Sequence, residues 1–455
     1  LWATHSIGAA RSLAQAICGI APDIDFAPAD LTRFDDAELV PADYAIRCDN
    51  AYIDTYAIHH PAEPSTSPRG VRMSPFYDEQ EKLGAAFFDT SGWERPRWFE
   101  SNAGLLAGLS VPARDAWSSK FWSPIAGAEH LKTREVAGIF DMTSLRRINV
   151  TGRDAAKFLN YAAARNVARG TGAVTYTMLL DHNGGIVSDV TISQLAEDRF
   201  FIGGNSPRDV VWLKSISAGY DVHIEDVTNG TTCIAVWGPQ AREILAPITD
   251  TDLTNDTFKY FNAKETSVAG VAVNAVRVSY VGELGWELAC NASAGSQLWN
   301  AVMAQANRVG AVPAGRSALT SLRLEKGYRA WGSDMSREDT PTSAGLDFAV
   351  RTDGEHLGLA AASARVTTRR LRTLSLTDIE TVPTIGQPIF MSGKNVGYIT
   401  SAEFGWSVGH PVALGWLPAE IKEGESVQIS CGGTTVNAVV APDAVFDPTG
   451  SRIRV

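Results

Sequence analysis

An α+β protein of several domains, ending in a small β-barrel, is what this sequence predicts. Three observations support it. The chain has 455 residues, more than one hydrophobic core usually serves, so roughly two to four domains are expected. Between about 130 and 365, strand patterns alternate with helix patterns, as in the apolar helix around Phe158 to Ala164 and the strand Thr232 to Trp237. Beyond Arg369, the runs Leu371 to Leu376, Val396 to Ser401, Val412 to Trp416, Val427 to Cys431 and Val436 to Val440 read as strands. They are separated by Gly and Pro turns with no helix-length segment, the pattern of a barrel.

Composition narrows the class. Hydrophobic residues make up 45% and charged residues 20% of the chain, with no long polar tract, which excludes a disordered protein. The net charge is -11 and no dense Lys/Arg cluster interrupts it, so a nucleic-acid partner has no electrostatic support. Cys18, Cys48, Cys233, Cys290 and Cys431 lie far apart, without a C-x-x-C pair or nearby His. No metal site is expected, and the five read as reduced core thiols. No apolar run reaches the roughly eighteen residues of a membrane span, and no signal-peptide pattern opens the chain. The expectation is a cytoplasmic protein, or one of the mitochondrial matrix, with no membrane partner.

Residues 1–22 suggest a short strand, a glycine turn and a helix with Leu13, Ala14, Ala16 and Ile17, stopping at Gly19 and Pro22. The chain starts at Leu1 without an initiator Met and reads as a fragment of a larger nucleotide-binding domain. Residues 23–125 mix short strands such as Tyr52 to His59 with Pro-rich loops and the aromatic cluster Trp93 to Phe99. That composition suits a packing layer.

The most informative segment runs from Tyr176 to Ile192, where two apolar arms flank Asn183-Gly184. This dipeptide tolerates the positive φ of a tight turn, so the segment is a hairpin. Asp189 then sits in its second arm, between Val187 and Thr191 on one face. A carboxylate there must be paired or open to a cleft, unless the strand is an edge with the Asp facing solvent. A second hairpin is expected with arms Val276 to Tyr280 and Trp286 to Cys290 around the turn Val281 to Gly285. Glu287 lies opposite in face to Trp286 and Leu288, and an outward-pointing Glu satisfies that pattern as well as a functional one. A helix from Arg316, with Ala318, Leu319 and Leu322 at helical spacing, is predicted to stop at Gly327, leaving Tyr328 just beyond it. Together the three segments offer aromatic faces and two carboxylates, suited to a flat heterocycle bearing N–H donors. No G-x-G-x-x-G, Walker A, nucleophile elbow or metal cluster supplies a rival chemistry.

At these residues the sequence resembles the aminomethyltransferase (glycine-cleavage T-protein) family, over about 130 to 455. Three motifs occur in order: Tyr176-x(12)-Asp189, Tyr280-x-Gly282-Glu283-x-Gly285-Trp286-Glu287, and Leu322-Arg323-Leu324-Glu325-x-Gly327-Tyr328. The resemblance implies a catalytic role for Asp189 and a tetrahydrofolate pocket lined by Tyr176, Tyr280, Glu287 and Tyr328, with Glu287 accepting from the pterin ring. Arg69 to Tyr77 and Gly92 to Pro96 resemble the linker of the dimethylglycine/sarcosine dehydrogenase branch, in which a FAD domain precedes the folate half. Residues 1–22 then read as the tail of that FAD domain and 23–125 as the central linker. Residues 126–368 read as the folate-binding domain and 369–455 as the barrel. Three positions depart from many T-proteins: Ser188 for a second Asp, Leu319 for Arg, and Ser343 for Glu. The first two agree with the dehydrogenase branch; the third replaces a charged acceptor with a hydroxyl.

What the resemblance implies is a division of labour. FAD, in the part not included here, oxidises an N-methylamine, and tetrahydrofolate captures the resulting iminium carbon as 5,10-methylenetetrahydrofolate. A free-standing tetrahydrofolate-dependent S- or O-demethylase and a non-catalytic folate-binding module are the alternatives.

Overall fold

The computed structural model describes residues 2–20, 22, 24–26 and 29–455. Its centre is a pair of sheets. A six-stranded sheet runs in the order Ala263–Val268, Val271–Val276, Gly285–Asn291, Thr231–Trp237, Gly138–Asp141 and Val312–Pro313. All its neighbours are antiparallel except the last pair. A five-stranded antiparallel sheet runs Val174–Leu180, Ile186–Ala196, Arg199–Gly204, Arg146–Thr151 and His223–Asp226. Each sheet has its own outer core. The first covers Ile234, Val236, Trp286 and Leu288 with the helices Ala241–Leu245 and Gly295–Val309. The second covers Ile148, Val190 and Ile192 with Ala155–Ala162 and Pro207–Ser215. Two-faced strands of this kind bury one apolar face against helices, so the opposite faces of both sheets are left to meet each other. They do so through Phe140, Cys233, Trp237, Leu145 and Phe201.

The barrel predicted beyond Arg369 is present and closed. Six antiparallel strands follow the order Arg369–Leu376, His410–Pro418, Lys394–Gly405, Pro388–Met391, Ser426–Cys431 and Thr434–Ala441, which returns to the first. The sequence reading missed only Pro388–Met391, a four-residue strand too short for alternation to register.

Four expectations are corrected. Residues Trp2–Ile17 form one continuous helix where a short strand and a glycine turn were expected to lead into it. A Cβ at Gly8 would meet nothing within 4 Å, so this glycine costs the helix only propensity. Tyr52 and Ile53 lie in the last turn of the helix Pro41–Ile53, and the residues from Asp54 to His59 form turn and loop; an apolar β-branched run was overridden by the helix behind it. The arm expected over Val276 to Tyr280 stops at Val276, because Arg277 turns away to exchange backbone hydrogen bonds with Phe261 and Asn262. Arg277 to Leu284 is therefore a loop, and it carries Tyr280. The cysteines are all free, but Cys18 and Cys48 are exposed and are not core residues.

The helix Ile125–Glu135 ties the barrel to the sheets. A Cβ added to Gly127 would lie 2.1 Å from the indole of Trp406, so only glycine lets the ring lie against the helix backbone. Gly127→Ala is expected to destabilise the protein by about 1–3 kcal/mol through this overpacking, despite alanine's better helix propensity. Urea unfolding with an unchanged midpoint would show that Trp406 swings away at no cost.

Candidate active site

Asp189 lies on Ile186–Ala196, opposite Met178. Simple alternation would place it with Val187, but the register slips between Leu179 and Leu180, and this bulge changes the outcome. Val187 joins Val190 and Ile192 in the outer core, while Asp189 shares the inner face with Tyr176, Met178 and Thr191. The Tyr176 hydroxyl donates to Asp189 Oδ2 at 2.9 Å. Asn205 Nδ2 donates to Asp189 Oδ1 at 2.9 Å and to its carbonyl at 2.8 Å. Burial pushes the Asp189 carboxyl above the usual range, against the pull of these two donors. Burial and the Asp189 charge together raise the Tyr176 phenol well above its ordinary value, so it stays a donor.

Behind Asp189 stands a layer that the sequence reading did not identify. Asn205 Nδ2 also bonds Ser188 Oγ at 3.0 Å, and Ser188 donates to Asp209 Oδ2 at 3.1 Å. Asp209 accepts from the Asn205 backbone at 2.7 Å and is pushed up to about 6 by burial. A hydroxyl at 188 thus donates where a second carboxylate would repel. The only signal for this layer in the sequence was Ser206-Pro207-x-Asp209, which forms a capping box at the start of Pro207–Ser215. Ser343 keeps a capping role of its own, its hydroxyl accepting from Thr340 N at 2.9 Å. Leu319 is buried in the apolar cluster between the sheets.

Glu287 stands on the other sheet, in register with Ala235 and Val276. It shares the inner face with Cys233, Trp237 and Ala289 rather than pointing outward. No described residue donates a hydrogen bond to it. Burial pushes its carboxyl up to about 7, against the pull of Arg147. Arg147 does not pair with it, because its guanidinium is occupied by Thr231 Oγ1 and the carbonyls of Thr143, Leu145, Thr228 and Thr231.

Tyr280 reaches the cleft from the loop, and its hydroxyl donates to the Arg329 carbonyl at 2.7 Å. Its ring stacks on Tyr328, with centroids 6.0 Å apart and planes at 28°. Tyr328 follows the end of the helix Arg316–Glu325, and Gly327 takes the left-handed turn at φ 63°. Burial pushes the Tyr280 phenol up to about 12; Arg323 opposes this and the charge of Asp189 adds to it. The structure thus joins Tyr176 to Asp189 and Tyr280 to Tyr328, with Glu287 across from them. The inner-face residues Asn149, Tyr176, Asp189, Thr191, Phe201, Gly203, Tyr280 and Glu287 are all only half-buried although they lie between two sheets. A Cβ at Gly203 would lie 2.8 Å from Thr191 Oγ1, so the glycine makes room for the threonine hydroxyl on the neighbouring strand. The sheets therefore enclose an open cleft with a carboxylate on each wall.

The GCVT N-terminal domain model matches residues 76–354, more than half the chain, and so spans both walls of this cleft. The chain belongs to the aminomethyltransferase (glycine-cleavage T-protein) family. The glycine cleavage T-protein C-terminal barrel domain matches 369–447, and the FAD dependent oxidoreductase central domain matches 21–74. The chain is 28% identical to human mitochondrial dimethylglycine dehydrogenase over 99% of its own length and 53% of that protein. It is 32% identical to the aminomethyltransferase of Saccharopolyspora erythraea over 80% of its length and 95% of that protein. The solved structure of the glycine cleavage system aminomethyltransferase T from Bartonella henselae superimposes with a TM-score of 0.71 at 27% identity, covering 84% of this chain and 99% of that one. The chain spans about half the length of the dehydrogenases it matches. It is an aminomethyltransferase-type folate domain related to methylamine dehydrogenases.

The free Glu287 carboxylate has a measurable consequence. Its folded-state value of about 7 exceeds the ordinary 4.5, so the folded chain holds this proton more tightly than the unfolded chain. That contribution to stability is full below about 4.5 and is lost as pH rises through about 7. Glu287→Gln removes the penalty, which is at most about 3 kcal/mol and less where water in the cleft screens it. The variant should melt with wild type near pH 5 and above it near pH 8. Equal melting temperatures at both would place Glu287 in solvent.

Proposed function

We propose that this chain carries out the tetrahydrofolate-dependent one-carbon transfer of a flavin-linked N-methylamine dehydrogenase, collecting the oxidised methyl carbon as 5,10-methylenetetrahydrofolate. The observation that carries this reading is Glu287, a cleft carboxylate without a protein donor, facing the wall that holds Asp189. An unsatisfied acceptor in a cleft walled by aromatic side chains suits a flat ring with N–H groups. Tetrahydrofolate, when bound, supplies the nucleophilic nitrogens, and a flavin in the rest of a complete protein supplies the oxidation that makes the carbon electrophilic.

This chain's own residues supply position and charge. Glu287 accepts from the ring, and Tyr280, held by Arg329 and Tyr328, walls the cleft beside it. Tyr176 and Asn205 each donate to one oxygen of Asp189, which leaves lone pairs of both oxygens free for the cleft. An arriving cationic carbon favours the ionised carboxylate and so counteracts the rise that burial imposes. Asp189 then stabilises that positive charge and takes the proton released when one folate nitrogen adds to the carbon; the substrate amine, displaced by the second nitrogen, leaves demethylated and protonated. The remaining contribution is proximity.

Two measurements test this. Glu287→Gln should weaken reduced-folate binding by about 1.5–3 kcal/mol, the range for hydrogen bonds to charged groups. Titration calorimetry giving equal affinities would remove Glu287 from the site. In the protein joined to its flavin half, Asp189→Asn should leave flavin reduction intact while formaldehyde release rises and methylenetetrahydrofolate falls. The loss of one preorganised charged group costs on the order of 100-fold in rate. Unchanged product partitioning at saturating folate would make Asp189 structural.

A further inference from the structure

Among the described residues the buried arginines are paired, whereas two half-buried ones beside the cleft, Arg95 and Arg316, are not. Each arginine with a buried side chain bonds a carboxylate or a carbonyl, from Arg72 with Asp35 to Arg329 with the Ala344 carbonyl. Arg95 and Arg316, both half-buried, donate to no described residue. The Nε of Arg95 is sealed from solvent without an acceptor. Arg95 comes from the strand Trp93–Phe99 and Arg316 from the first turn of Arg316–Glu325. These two elements are pressed together, since a Cβ on Gly315 would meet the Arg97 carbonyl at 2.0 Å. Two carboxylates favour the Arg95 charge without bonding it: Asp141 is engaged by Gln80 Nε2 at 3.0 Å and by Thr143 N at 2.9 Å, and Asp89 faces Arg47 at 3.9 Å.

The energetics of this pair point to a missing anion. Burial pushes the Arg95 guanidinium down to about 9, and the charge of Arg316 pushes it the same way. Arg316 is also lowered by burial, and Leu319, one turn further along its helix, packs in the cluster between the sheets that Tyr280 lies against. Two partly desolvated like charges held on rigid elements are unfavourable without a counter-ion.

We propose that Arg95 and Arg316 form a carboxylate receptor at the Tyr280 end of the inter-sheet cleft. A guanidinium pair grips a planar carboxylate through two parallel N–H···O bonds, which a point charge cannot match. The name of the carboxylate rests on the reading above, although the receptor does not. It belongs either to the glutamyl tail of the folate or to an amino-acid-type N-methylamine.

Binding of two probe pairs to the 455-residue chain separates these sources. Tetrahydrofolate is compared with tetrahydropteroate, which lacks the glutamyl group, and N-methylglycine with dimethylamine, which lacks the carboxylate. In at least one pair the carboxylate form should bind wild type about tenfold tighter or more, as expected for charge-assisted bonds. Arg95→Gln and Arg316→Gln should each abolish that difference, and Arg316→Lys should keep part of it. A difference confined to the folate pair assigns the receptor to the tail, and one confined to the amine pair assigns it to the amine. If neither pair is discriminated, or the Gln variants still discriminate, the proposal is overturned. Both Gln variants should melt at or above wild type without ligand, because each removes a repelled charge. Melting several degrees lower would make the arginines structural and also overturn it. Failure of both tetrahydrofolate and tetrahydropteroate to bind would sink the folate reading alone, leaving the amine pair to decide the receptor.

Discussion

The cleft depends on one buried ion lattice centred on Arg134. Its guanidinium donates to Glu283 Oε1 at 2.8 Å, to the Val281 carbonyl at 2.6 Å and to Glu325 Oε2 at 3.1 Å. Arg452 binds Glu283 from the far side at 2.7 Å, and Glu325 accepts from Ser407 N at 2.7 Å. Burial alone would raise the Glu325 carboxyl, yet His130 and Arg134 hold it down to about 2. These contacts join the helix Ile125–Glu135, the loop that carries Tyr280, the end of the helix before Tyr328, the barrel and the last residues of the chain. Removing one member would leave its partners charged and buried, which is more damaging than never having built the lattice.

The family motifs therefore contain two kinds of polar residue. Glu283, Arg323 and Glu325 sit among the motif residues but never reach the cleft. Arg323 donates to Asp334 at 2.7 Å and to Ser401 at 2.7 Å, and so fastens the segment after Tyr328 to the barrel. Asp189, Glu287 and Tyr280 are the neighbours in sequence that do reach it. Glu283 and Glu287, four positions apart, divide into scaffold and site because one lies on the loop that turns back to Arg134 and the other on the inner face of the strand Gly285–Asn291.

The cleft concentrates unmet electrostatics that the scaffold tolerates. Glu287 lacks a donor, Arg95 and Arg316 lack an acceptor, and Asp189 is balanced between burial and its two hydrogen-bond donors. Charges left in this condition destabilise the empty protein and favour ligands of the opposite character. The fully bonded lattice around Arg134 lies in the same layer of the fold, so rigidity and unsatisfied charge are close neighbours here.

Much of the architecture was legible in the residue pattern, because alternation and turn chemistry are local. The Asn183-Gly184 hairpin, the helix ending at Gly327 and the closed barrel all follow from it, and the ordered motifs identified the family. Other features depended on contacts distant in sequence. The bulge that turns Asp189 away from Val187 needs its partner strand, and the loop that carries Tyr280 exists because Arg277 bonds Asn262. Arg95 sits in the linker motif Gly92 to Pro96, Arg316 opens the third segment and Asp209 belongs to a helix cap, yet the significance of all three, and of Asn205, comes from what stands opposite them. Whether Glu287 meets solvent or a cleft was decided by the second sheet, because strand alternation separates two faces but cannot say what covers either.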